Sequence, residues 1–339
     1  MSGADASMVP ADRRLRVLVV TNLYPGGVVP GRGAFVQNQV ESLRALGHRI
    51  EVVAIDGARS KLEYLRGIGR LRHALERERF DLVHAHYGLT GLVARVQSRA
   101  PLVVTFLGSD VLWSRQRPLS RLAARLADLS IVMSEEMRRL LGVSGCRVIP
   151  NGTSLGRFRP VDPAEARAAM GWGADAFIVL WPWNPARPEK NFALAESAVA
   201  TLGGRARLVS FHGESQDRYN LALNAADVAL LTSHWEGSSN TVREAMAVGL
   251  PVVAVPAGDA PEMLAGVQHC SVVRRDPGSI AAALAGLLAV GGGGARRVRY
   301  APPAKLASYT LEATARAIDR EYHALLTSRH RPSEAVAID

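Results

Sequence analysis

Cysteine is nearly absent from this 339-residue chain. Cys146 and Cys270 are the only two, too few for a disulfide framework, so a reducing compartment is the simplest expectation. Long apolar runs are missing as well: no stretch approaches the ~18 consecutive apolar residues of a membrane span. The opening MSGADASMVPADRR holds no apolar segment before LRVLVV begins, so residues 1–14 read as a flexible leader and not as a signal peptide. The expected location is cytoplasmic, with peripheral contact at the inner membrane surface as an option. No GxGxxG follows the first strand-like run, which argues against a dinucleotide dehydrogenase.

What is present begins with charge. Residues 1–158 hold 23 Lys and Arg against 13 Asp and Glu, whereas residues 159–339 hold 18 of each. All of the net +10 therefore lies in the first half, which points to a partner with phosphates or an anionic surface on that side alone. The length suggests roughly two domains, and 48% apolar residues can fill two cores.

Strand and helix patterns alternate throughout. LRVLVVTNL (15–23), RIEVVAI (49–55), DLVHAHY (81–87), PLVVTFLG (101–108), LSIVMS (129–134) and CRVIPNG (146–152) read as short apolar strands. Helical stretches, including 33–48 and 61–79, separate them, so a parallel sheet covered on both faces is expected. NGTSLGRFRPVDP (151–163) is rich in turn formers and reads as a linker. FIVLWPW (177–183), ARLVSFHG (206–213), DVALLTS (227–233) and PVVAVPA (251–257) repeat the pattern, with helices from about Asn191 and near 216–225. The GGGG run at 291–294 breaks the last core helices, and residues 305–328 read as a final amphipathic helix.

The segment SHWEGSSNTVREAMAVGLPVVAVPAGDAPEML, from Ser233 to Leu264, carries the most chemistry. Glu236 sits in a loop with Gly237, Ser238, Ser239 and Asn240. From about Asn240, TVREAMAVG reads as a helix closed by Gly249. Small residues at a helix start leave N–H groups free at the positive end of the dipole, a ready phosphate site. Glu236 lies before that site and Glu244 about two turns beyond it. Such a pair suits a ligand with a diphosphate between two polyol parts, as a nucleotide sugar has. Taken alone, a bare spacing of this kind favours two solvated helix-surface glutamates.

EGSSNTVREAMAVGLPVV resembles the Glu-x7-Glu segment of retaining nucleotide-sugar glycosyltransferases, specifically glycosyltransferase family 4. The resemblance implies a GT-B fold: α/β, with two doubly wound Rossmann-like parallel-sheet domains facing across a cleft. It places the N-terminal, acceptor-side domain at 15–158 and the nucleotide-sugar domain at 159–304. The helix at 305–328 is an element that can cross back to the first domain, and 329–339 is a tail. Glu236 is then the glutamate by the donor sugar and Glu244 the one that holds the ribose, with Ser238, Ser239, Asn240 and Thr241 beside the phosphates. PARPEKN (185–191) offers Arg187 and Lys190 for the diphosphate, and its tight RPEKN form is similar to a sub-branch that includes teichuronic-acid-type transferases. Gly31 and Gly33, after the first strand, match the family's glycine loop, Gly33 best. TFLGSDV supplies Gly108 and Asp110, the latter the candidate for acceptor orientation or proton acceptance. Leu107 stands where the family usually has histidine, which leaves the general base unassigned.

The implied donor is a nucleoside-diphosphate sugar, with UDP expected and GDP the other option, and the acceptor is a hydroxyl. No Asp-x-Asp occurs, so the metal-dependent sugar-nucleotide fold is disfavoured and no metal or cofactor is expected. Nucleic acid is not an expected partner. His84 and His86 share one strand face and could form a metal pair, but no third ligand is evident and structural histidines are the expectation. Trp181 and Trp183 read as core. The segments 61–80 and 113–126 mix leucines with Arg66, Arg70, Arg115, Arg117, Arg121 and Arg125. They suit either anionic lipid headgroups or core-packed helices with a solvated basic face. Two rival readings are a sugar-nucleotide epimerase on the same fold and a degenerate partner subunit that binds nucleotide or membrane without turnover.

Overall fold

A computed structural model of the chain describes residues 13–25, 33–57, 59–291 and 297–330. Most of the expected leader, Gly31, the glycines from 292 to 294 and the tail from 331 lie outside the described residues. Two compact units emerge. The first takes in the described residues up to Met133, Met137–Gly152, and those from Leu311 on. The second holds Ser134–Glu136 and Thr153–Thr310.

In the first half the strands are β1 (Arg16–Thr21), β2 (Arg49–Ala54), β3 (Leu82–His86), β4 (Leu102–Thr105), β5 (Leu129–Val132) and β6 (Arg147–Val148). The helices between them are α1 (Ala34–Ala45), α2 (Leu62–Arg77), α3 (Gly88–Ala94), α4 (Ser109–Leu112), α5 (Arg117–Leu126) and α6 (Glu135–Leu141). All strands pair in parallel in the order β2-β1-β3-β4-β5-β6. Helices cover both faces, so the strands are apolar almost throughout. Alternate side chains feed two cores. Leu18, Val20, Val83, Ala85 and Val104 pack with Leu71, Val93 and Ala123 from α2, α3 and α5. Val17, Val19, Leu82 and Val103 pack on the opposite face with Val40 and Leu43 of α1.

The second unit contains α7 (Pro163–Met170), β7 (Phe177–Trp181), α8 (Phe192–Ala200), β8 (Ala206–Ser210), α9 (Gln216–Ala225) and β9 (Val228–Leu231). It continues with α10 (Asn240–Ala247), β10 (Val252–Ala254), α11 (Ala260–Leu264), β11 (Ser271–Val272) and α12 (Pro277–Gly291). Its parallel sheet runs β11-β10-β9-β7-β8. After a 3-10 turn at Ala304–Tyr309, the last helix α13 (Leu311–His330) belongs to the first unit. There Ala315, Ile318 and Tyr322 join the core beside α1.

The segment expected to be a linker is tied down. Asn220 and Asn224 of α9 accept the N–H groups of Arg159 (3.2 Å) and Val161 (2.8 Å), and Pro163 already opens α7. Arg167 on that helix is buried, and its guanidinium pairs with Asp227 at 2.5 Å. Both sheets reverse their strand order once, between β1 and β3 and between β7 and β9. Ligands of doubly wound sheets bind beyond the carboxyl ends of the strands at such a reversal.

Candidate active site

In the second unit the loops leaving β7 and β9 meet beside the reversal. Lys190 ends a short 3-10 turn and is buried, with its Nζ 2.5 Å from Glu236 Oε1 and 4.7 Å above the Trp183 ring. Ser233 Oγ donates to the same Glu236 oxygen at 2.7 Å. Thr232 Oγ1 accepts from the Trp181 indole at 2.9 Å and donates to the Lys190 carbonyl at 2.8 Å. The His234 N–H donates to the Glu189 carbonyl at 2.9 Å. These bonds fix a cation and a carboxylate side by side on backbone that cannot drift. Gly258 backs Glu236 closely, since a Cβ there would lie 2.8 Å from the Glu236 carbonyl oxygen. Arg187 differs: its side chain is 53% exposed and reaches Glu189 at 2.5 Å.

Helix α10 begins in the same place, after Gly237, Ser238 and Ser239. The Ser239 N–H donates to Asp259 Oδ1 at 3.0 Å and Ser238 Oγ to Asp259 Oδ2 at 2.6 Å. Arg243, fully buried, pairs with Asp259 at 2.6 Å, donates to Asn240 Oδ1 at 3.1 Å, and lies 5.0 Å from the Tyr309 ring. Asp259 thus holds the loop in shape, while the N–H groups of Asn240 and Thr241 in the first turn have no acceptor within the helix. Further along α10, Glu244 lies beside Tyr219 and Arg243, and burial pushes its carboxyl up to about 7. The Tyr219 hydroxyl, also buried, has no well-formed hydrogen bond. Its ring borders a cavity of about 440 Å³ with Trp183, Asn184, Arg187, Phe211 and His212.

The structure therefore groups Lys190, Glu236, Gly237, Ser238, Ser239, Asn240, Thr241 and Glu244 within one unit, with Arg187 at the edge. Sequence reasoning missed Ser233, Tyr219, Arg243 and Asp259. Asp259 precedes a Pro-bearing helix and looks like the cap of α11, yet its side chain serves the start of α10 instead.

Gly33, Gly108 and Asp110 belong to the first unit. Gly33 (φ 85°) starts α1, where a Cβ would meet the Leu23 carbonyl carbon at 2.3 Å. Gly108 (φ 129°) follows β4. Asp110 is buried, and its carboxylate accepts three N–H groups: Leu107 (3.0 Å) and Gly108 (2.9 Å) on Oδ1, and Gly88 (3.0 Å) on Oδ2. Burial outweighs these bonds and raises it to about 6. The side chain clamps the loops after β3 and β4, and Leu107 packs against the core.

His84 sits between Tyr322 Oη (2.6 Å) and Thr105 Oγ1 (2.7 Å), and stacks on His86 with centroids 4.3 Å apart. His86 reaches Gln39 at 2.5 Å, and burial lowers it to about 3, so it is neutral. Their partners are thus hydroxyls and an amide. Trp181 is fully buried in the second core.

Residues 11–157 match the family model described as Glycosyltransferase Family 4, and residues 186–289 the one described as Glycosyl transferases group 1. A Bacillus subtilis protein named as a teichuronic acid biosynthesis glycosyltransferase, TuaC, is 25% identical over 347 residues, covering 80% of this chain and 88% of that one. The D-inositol 3-phosphate glycosyltransferase 2 of Catenulispora acidiphila is 30% identical over 273 residues, and the match spans 62% of each chain. Among solved structures, Anabaena Alr3699/HepE in complex with UDP and glucose superposes with a TM-score of 0.62 at 19% identity, covering 93% of this chain and 98% of the other. The chain is a GT-B-type glycosyltransferase, with a family 4 domain followed by a group 1 domain.

Proposed function

We propose that the protein moves a sugar from a nucleoside-diphosphate sugar to a hydroxyl acceptor, with retention at the anomeric carbon and without a divalent metal. The observation that carries this reading is the buried Lys190–Glu236 pair at the β7/β9 reversal, beside the start of α10. Lys190, Arg187 and the first-turn N–H groups of α10 supply positive charge where a departing diphosphate gathers negative charge. That is the electrostatic work a metal performs in other sites. As the bond from the anomeric carbon to the phosphate oxygen breaks, its electron pair stays on the leaving group. Glu236 faces the positive charge left on the sugar. Glu244 accepts from the ribose hydroxyls.

UDP is the favoured carrier, because structures of Anabaena Alr3699/HepE contain UDP and UDP-glucose. The acceptor is a hydroxyl on a glycan, a lipid-linked sugar or a natural product. Asp110 orients the acceptor side by holding its loops, since three N–H groups already occupy its carboxylate. With Leu107 in the histidine position, the departing phosphate oxygen is the base that takes the acceptor's proton.

A thermal-shift panel of UDP, GDP, ADP and their sugars tests the donor assignment. A ligand at about 100 times its Kd should add about 2.7 kcal/mol of stability. UDP or its sugars should raise Tm, and Lys190→Ala should erase the rise. No response to any nucleotide would overturn the reading, and donor converted to an epimer without acceptor would make the protein an epimerase.

A further inference from the structure

Helix α5 is built inside out. Its small residues, Ser120, Ala123 and Ala124, face the core, while Leu119, Leu122 and Leu126 are 47%, 46% and 40% exposed. Spacings of three and four residues put the three leucines on one stripe of the helix. One exposed leucine is ordinary, but a stripe of them on a helix that buries alanine and serine is not explained by the core. Trp113, just ahead of α5, is half exposed, and Leu62 and Leu65 at the start of α2 are the most exposed leucines of that helix. Both α2 and α5 pack against α3 in the same layer of the first unit.

Charge identifies what covers this face. The segment 113–126 contains Arg115, Arg117, Arg121 and Arg125 and not one acidic residue. Arg121 and Arg125 are exposed alongside the leucine stripe. The next acid along the chain, Asp128, is engaged by the Leu102 N–H at 2.7 Å and by Arg95 and Arg329. Glu63 on α2 is buried and already paired with Arg66 and Arg70. A second copy of this chain docked by two-fold symmetry would set arginine against arginine. An anionic bilayer offers phosphates for the guanidinium groups and an acyl boundary for the leucines.

We infer that α5, together with the first turn of α2, is the face on which the protein rests against an anionic lipid bilayer. Leu119, Leu122 and Leu126 enter the headgroup boundary, and Arg121 and Arg125 meet the phosphates. The inference concerns binding and does not depend on the donor-site reading. If both hold, the acceptor hydroxyl is one presented at a lipid surface.

The test is sedimentation of the full chain with vesicles of phosphatidylcholine containing phosphatidylglycerol, and with phosphatidylcholine alone, at low and high salt. Binding should require phosphatidylglycerol and weaken as salt rises past ~0.15 M. Each arginine at such a surface is worth about fivefold in partitioning. Arg121→Ser with Arg125→Ser should therefore lower it about 25-fold, and the triple Leu119→Ser, Leu122→Ser, Leu126→Ser at least as much. The charge-matched control Arg205→Ser with Arg207→Ser, in the other unit, should stay within about twofold of wild type. All of these residues are exposed, and unchanged circular dichroism confirms the fold of each variant. Absent binding to anionic vesicles at low salt overturns the inference, as does partitioning that the α5 variants leave intact. A concentration-dependent dimer dissolved by the leucine triple would also overturn it, because a second copy would then be the occupant.

Discussion

Glu244 should reveal itself through opposite effects on stability and on ligand binding. Burial raises its carboxyl from 4.5 to about 7, so keeping it ionised in the folded protein costs about 3 kcal/mol. The unfolded chain ionises this group near pH 4.5 and the folded chain near pH 7. The stability that comes from holding it neutral is thus fully present below pH 4.5 and is lost as pH rises to 7. Glu244→Gln is neutral at every pH, so above pH 7 it should be more stable than wild type, by up to about 3 kcal/mol, and below pH 4.5 equal to it. Binding should move the other way. In the proposed donor complex the ribose hydroxyls donate to the carboxylate, so wild-type affinity should rise with pH by up to about tenfold per unit until about pH 7, then level off. Calorimetry with UDP-glucose, whose diphosphate has no second ionisation in this range, measures the affinity, and thermal melts measure the stability. The Gln variant should bind weakly and without pH dependence. Wild-type affinity that ignores pH, or a Gln variant with full affinity, refutes the reasoning.

Lys190→Ala should do two kinds of damage: it leaves Glu236 buried without its cation, costing about 3–5 kcal/mol in stability, and weakens UDP by about 2–5 kcal/mol in calorimetry. Arg187→Ala, at an exposed position paired with its near neighbour Glu189, should weaken UDP by less and leave Tm nearly unchanged. Asp110→Asn replaces part of a three-bond acceptor with an amide and should cost about 1–3 kcal/mol in denaturant unfolding, while UDP affinity stays as in wild type.

The sheets were legible because parallel strands buried on both faces must be apolar almost continuously, as in LRVLVV and FIVLW. Helix α2 was expected over 61–79 and runs Leu62–Arg77, because Glu78 turns extended. The two-residue strand β11 left no periodic trace, and α7 starts on the last residue of the turn-forming segment 151–163, which is held by asparagines about 60 residues away. At the site, residue types and spacing singled out Glu236 and Lys190, but their contact spans 46 positions and no local pattern encodes it. Nothing in the helix pattern TVREAMAVG marks Arg243, although Asp259 and Tyr309 enclose it. Asp110 stood out in TFLGSDV, yet its three N–H partners depend on where two separate loops come to rest. The leucines of 113–126 were visible as composition, but only the fold shows which way they point.

Proton NMR of donor and product during turnover, with EDTA present and the nucleotide sugar that the thermal-shift panel selects, reads retention and metal independence in one measurement. The first sugar product, whether transferred to an acceptor or to water, should carry the same anomeric configuration as the donor and appear together with free nucleoside diphosphate. Glu236→Gln should lose most of this turnover while keeping its affinity for the free nucleotide. Product of inverted configuration, or activity that vanishes with EDTA and returns with magnesium, would contradict the account.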